Sequence, residues 1–86
     1  MEIYYFSGTG NSLHVARELA AHFPKASLVP IIGAMDKKEL KTHAEVVGLV
    51  FPIHAFTIPW PVHAFLEKAD FSSTSYIFAL ATRECF

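Results

Sequence analysis

Six consecutive residues, Ser7-Gly8-Thr9-Gly10-Asn11-Ser12, concentrate the hydrogen-bond donors of this chain. The two glycines let the backbone turn tightly and approach a ligand with no Cβ in the way. Successive amides leading into a helix start present positive partial charge. The chemistry this favours is capture of a phosphate. No Lys or Arg lies in the stretch or in the four residues after it, so amides and the hydroxyls of Ser7, Thr9 and Ser12 do the holding. Spacing narrows the ligand. A P-loop needs four residues between its glycines and then Gly-Lys-Ser/Thr, whereas one residue separates Gly8 from Gly10 and no Lys follows. A dinucleotide fingerprint puts a third glycine where Leu13 stands, and an acidic residue about 20 positions on, where Gly33 stands. What remains is a site for one terminal phosphate monoester. The structural alternative is an ordinary strand-to-helix turn, which requires fewer such residues.

A second stretch, Pro52-Ile53-His54-Ala55-Phe56-Thr57-Ile58-Pro59-Trp60-Pro61, is unusually apolar and aromatic for a connection. Its three prolines lower the entropy lost on ordering. His54 and Phe56 read equally as groups that stack on a planar ring or as caps on the core. Trp60 reads as a cap beneath the following helix. A third stretch, Thr82-Arg83-Glu84-Cys85-Phe86, offers backbone groups to the polar edge of a ring. Cys85 is a lone thiol and reads as a bystander rather than a nucleophile. The five histidines show no metal-ligand spacing, and no residue is singled out as catalytic.

These stretches need a scaffold that brings them to one place. Ile3-Tyr4-Tyr5-Phe6 is a continuous apolar run, as expected of a parallel strand buried on both faces. From Leu13, apolar residues at Leu13, Ala16, Leu19, Ala20 and Phe23 follow a 3.6-residue period, with His14, Arg17, Glu18 and His22 pointing away. Pro24 ends that helix. Ser27 to Ile32 predicts a second strand, which Pro30 confines to an edge, and Asp36 to Lys41 reads as a helical turn or two on the surface. Val46 to Phe51 predicts the central strand, stopped by Pro52. Pro61 opens a helix that carries Val62, Phe65 and Leu66 inward. Tyr76 to Ala81 predicts a last buried strand. The order β-α-β-β-α-β with short connections predicts a doubly wound α/β sheet. Ligands of such sheets sit at the carboxyl ends of the strands, where all three stretches converge.

Bulk composition agrees with one small unit spanning residues 1–86. Hydrophobic residues make up 52%, charged residues 17%, and the formal net charge is -1. A near-neutral chain without a basic cluster is not expected to bind nucleic acid. The single cysteine excludes an internal disulfide and an all-cysteine metal site. No apolar run approaches the ~20 residues that span a bilayer, and Met1-Glu2 opens straight into a strand. A cytoplasmic protein that does not engage membranes is expected.

The run from Ile3 through Ser12, followed by Val15-Ala16, closely resembles the start of flavodoxin-like domains. It is most similar to those fused to a pair of iron–sulfur cluster motifs in anaerobic bacteria and archaea. Val47-Gly48-Leu49-Val50-Phe51-Pro52, then Ile58-Pro59 and the Phe65-Leu66 helix, follow the same pattern. The resemblance implies a flavodoxin-like sheet with strand order 2-1-3-4, FMN as cofactor and electron transfer as function. It implies that Ser7, Gly8, Thr9, Gly10, Asn11 and Ser12 hold the FMN phosphate. Pro52, His54, Ala55 and Phe56 would border the isoalloxazine ring, and Thr82 and Arg83 would meet its pyrimidine side. Redox partners of the ferredoxin or nicotinamide-linked reductase class follow. An electron carrier is expected ahead of an FMN-dependent reductase with its own substrate. With no cation near the phosphate loop, a reduced anionic flavin is unaided and its potential is expected to be low.

The departures from that family carry information. His54 stands where the family often has Tyr, and Thr57 and Arg83 or Glu84 stand where it has glycine, which alone tolerates φ > 0 without strain. Ring binding is therefore expected to differ more than phosphate binding. The family's fifth strand, two further helices and cluster cysteines are not in the sequence, so the chain reads as a fragment of a longer redox protein. Its last strand would then be an exposed apolar edge that invites pairing with another chain. This supports a rival reading as a flavin-free assembly module. A phospho-receiver domain is disfavoured, because the third strand ends in Pro52 where an acceptor Asp is needed.

Overall fold

The two most continuous apolar runs form the middle of the sheet. Strand β1 (Glu2–Tyr5) lies between β2 (Ser27–Pro30) and β3 (Val46–Ile53), and β3 lies between β1 and β4 (Tyr76–Arg83). All pairings are parallel, giving the order β2-β1-β3-β4. Helices α1 (Asn11–Ala21), α2 (Ile31–Ala34) and α3 (Trp60–Lys68) make the crossovers. The computed structural model describes residues 1–7, 11–36, 40–53 and 58–83. The expected doubly wound α/β sheet, strand order included, is the observed one.

Two separate cores explain why β1 from Ile3 onward, and β3 throughout, carry apolar residues without polar alternation. On one face, Ile3, Ala16 and Val50 are buried with Tyr5, Val15, Leu19 and Leu28 packed around them, so α1 covers this side. On the other, Tyr4, Val47, Leu49 and Phe51 meet Ile31 and Ala34 of α2 and Val62 and Phe65 of α3. Period-2 alternation sends successive strand residues to opposite cores. Phe65 anchors the second core, its ring 5.0 Å from that of Tyr4 and 6.1 Å from that of Phe71. Gly48 has a packing reason. Its register partner is Phe78, whose ring lies across it, and a Cβ at Gly48 would come within 2.7 Å of that ring.

Several expected boundaries move, each for an identifiable reason. The second strand stops at Pro30 rather than Ile32, because pairing with β1 ends at Tyr5↔Pro30 and β2 has no other neighbour. The backbone then coils into α2, which buries Ile31 and Ala34 on one side. Strand β3 runs through Pro52 to Ile53. The Phe6 amide donates to the Val50 carbonyl at 3.0 Å, which fixes which edge of β3 faces β1. The next rung on that edge would run from residue 52 to the Phe6 carbonyl, and proline has no N–H to supply it. Pro52 thus ends pairing with β1 while β3 continues beside β4 to Ile53↔Arg83. The inward stripe of α1 is also rotated from the expected one. Ser12 and Ala16 are its buried positions, Leu13 is only half-buried and Phe23 is exposed. On α3, Val62 and Phe65 point in as expected, whereas Leu66 lies at the margin, 38% exposed.

Strand β4 lies at the sheet edge, and its apolar side chains remain largely open to solvent. Tyr76, Ile77, Ala79, Leu80 and Ala81 are all exposed, so the run whose composition reads as a buried strand is the exposed apolar edge that the resemblance led to expect. Among the described residues, no helix is long and apolar enough to cross a membrane.

Candidate functional site

Parallel strands deliver their carboxyl ends to one edge of the sheet, and each candidate stretch starts there. Ser7 follows β1 within two residues, Pro52 and Ile53 close β3, and Thr82 and Arg83 close β4. Helix α1 begins at Asn11, only a few residues after β1, so its first turn stands over the same edge. First-turn amides have no intrahelical acceptor and are available to a ligand.

The structure brings Ser12, Pro52 and Thr82 together. Thr82 is the register partner of Pro52. Val50 packs with Ala16 of α1, so Pro52 and Thr82, two positions further along their strands, share the α1-facing side. There the Thr82 Oγ1 lies 2.6 Å from the Ser12 Oγ, joining residues 70 apart in sequence. Both side chains are shut off from solvent, Ser12 with 0% and Thr82 with 7% exposure. This is a short O–H···O hydrogen bond in a dry setting, where such bonds are at their strongest. It gives the Ser12 side chain an internal partner.

Other expected site residues fall differently. Gly8, Thr9 and Gly10 of the first stretch, and His54, Ala55 and Phe56 of the second, lie outside the described residues, as do Thr57, Glu84 and Cys85. Asn11 is the first residue of α1 and Arg83 the last of β4, placed here by backbone only. Thr82 belongs to β4 rather than to a loop, which moves the start of the third stretch to the strand's end. Trp60 is not a core cap. It stands 76% exposed in the first turn of α3, between Pro59 and the buried Pro61.

A polar cluster at the opposite edge was not anticipated from the sequence. The Tyr4 hydroxyl donates to Glu2 Oε1 at 2.9 Å, and the Thr42 hydroxyl donates to the same oxygen. Burial, reinforced by the Glu2 hydrogen bond, raises the Tyr4 hydroxyl above its ordinary pKa. A cavity of about 80 Å³ adjoins these groups, walled by Val29, Leu40, Lys41 and Phe71 among others. That volume suits a few water molecules rather than a cofactor, since ligand pockets run to about 300–1,000 Å³. Glu2 opens β1, so this cavity is at the amino-terminal edge, away from the strand ends that gather Ser12, Pro52 and Thr82. One signal for the Ser12–Thr82 pair was present in the sequence. Ser12 falls in helical register with Ala16 and Leu19, and Thr82 continues the alternate positions Tyr76, Phe78 and Leu80.

No protein-family model, curated protein or solved structure matches the chain.

Proposed function

We propose that the chain is an FMN-binding electron-transfer module of flavodoxin-like type. The observation that carries the reading is the meeting of α1's first turn with the ends of β3 and β4, joined by the Ser12–Thr82 hydrogen bond at the carboxyl edge of a 2-1-3-4 sheet. This is where a doubly wound fold holds its ligand. The donor set fits a phosphate monoester held without cations. It comprises first-turn amides and Ser7, followed by a helix whose first basic residue is Arg17. Bound FMN would supply one- and two-electron chemistry. The residues of this chain would bind the phosphate through the amides around Asn11 and Ser12, and keep water from it with the buried Ser12, Pro52 and Thr82 surface. The stretch from His54 to Phe56 would border the ring. Ferredoxin-like or nicotinamide-linked reductase partners and a cytoplasmic setting go with this reading.

Mixing the purified chain with FMN tests it. Flavin fluorescence should be quenched on binding, and Thr9→Val should weaken the affinity by about tenfold, the worth of one lost polar contact. Unquenched fluorescence with the unaltered chain would remove the reading. A second reading, a flavin-free assembly module, draws on the uncovered apolar strand β4. A chain that leaves FMN fluorescence unchanged and sediments above monomer mass would favour it.

A further inference from the structure

We propose that Thr82 is a positioning residue for the ligand site, acting through Ser12 rather than by touching the ligand. The inference rests on the FMN reading. It starts from an oddity of composition on the α1-facing side of β4, where Tyr76, Phe78 and Leu80 are followed by Thr82. A pair of buried hydroxyls contributes little net stability, because replacing both partners by apolar groups of similar shape is close to neutral. What such a pair does supply is a fixed geometry, since each group is costly to leave unmatched. The geometry fixed here is that of α1's first turn relative to the β3–β4 strand ends: Ser12 Oγ to Thr82 Oγ1 at 2.6 Å, with Thr82 in register with Pro52. Thr82 therefore links the phosphate-binding turn to the strand end from which the ring-bordering stretch departs. Displacing the first turn by a fraction of an ångström misaligns several amides at once, and small misplacements are expensive in a preorganised site.

The test compares FMN with riboflavin, which lacks the phosphate, on variants of the whole chain. Thr82→Val should weaken FMN binding by about tenfold, the equivalent of one hydrogen bond, and leave riboflavin binding within about twofold. Thr82→Ser, which keeps the hydroxyl, should restore FMN affinity. The double variant Ser12→Ala/Thr82→Val leaves no orphaned hydroxyl, so it should melt close to the unaltered chain while still binding FMN about tenfold more weakly. Unchanged or tighter FMN binding by Thr82→Val and by the double variant would overturn the inference while leaving the FMN reading intact. Equal losses for FMN and riboflavin would do the same, by marking Thr82 as a packing residue. If the unaltered chain binds no FMN, the functional reading falls and this inference falls with it.

Discussion

Tyr4 shows how a single buried hydroxyl ties stability to pH. Its partner is the Glu2 carboxylate, and its pKa is raised by burial first and by that hydrogen bond second. A raised folded pKa means the stabilisation is fully present below the unfolded value, about 10 for tyrosine, and is lost as pH rises through the folded value. Tyr4→Phe should therefore cost about 0.5–1.5 kcal/mol near neutrality. The gap between the two proteins should narrow above about pH 10, because only the tyrosine can ionise. Denaturant melts at pH 7 and pH 11 check this, and a gap that widens in alkali would refute it. By contrast, the exposed His14–Glu18 and His63–Glu67 pairs, at 3.2 and 3.3 Å, sit one helical turn apart in open solvent. Pairs of that kind contribute little. Single residues were the least legible part of the sequence. Ser12 reads as a ligand hydroxyl when its neighbours are glycines and Thr9, and only its helical phase relative to Ala16 reveals the inward direction.

At the level of elements, the sequence was a better guide. Strands β1 and β3 announce themselves as continuous apolar runs, and helices α1 and α3 by apolar residues at helical spacing. The departures arise where a neighbour decides. Pro52 breaks a strand only on the edge that faces β1, and no sequence pattern says which edge that is. Ile31 leaves the strand because β1 has already ended, a fact of pairing. Helix α3 offers a direct check on its packed face. Phe65 is buried between Tyr4 and Phe71, whereas Leu66 is 38% exposed. Phe65→Ala should cost about 3–5 kcal/mol, a large share of the roughly 5–15 kcal/mol that holds a domain together. Leu66→Ala should cost under about 1 kcal/mol. Urea titrations of the two variants will distinguish them, and similar losses would mean the helix is rotated from the position described.

Across the whole molecule, the least supported region is the β4 edge. Ile77 and Leu80 are 46% and 41% exposed on opposite faces of a strand with one free side. Uncharged apolar edges promote association, and natural edges are commonly blunted with lysine. Ile77→Lys and Leu80→Lys should reduce self-association in light scattering at rising protein concentration, while melting temperatures stay within about 5 °C. A chain that is monodisperse before substitution would contradict that expectation. The site depends on the same sheet from the other side, since Ser12 is held by β4 and Ser7 follows β1. The position of β1 also has a kinetic side. It precedes both of its neighbours along the chain, yet it sits in the middle of the sheet, with Glu2 pairing with Ser27 on one flank and Val47 on the other. During translation its apolar residues must wait for β3 to emerge before they can be covered. Folding is thus delayed by long-range parallel pairing, which is slow to close, and the interval in which Ile3 to Phe6 can stick to something else is set by how quickly the ribosome delivers Val46 to Val50.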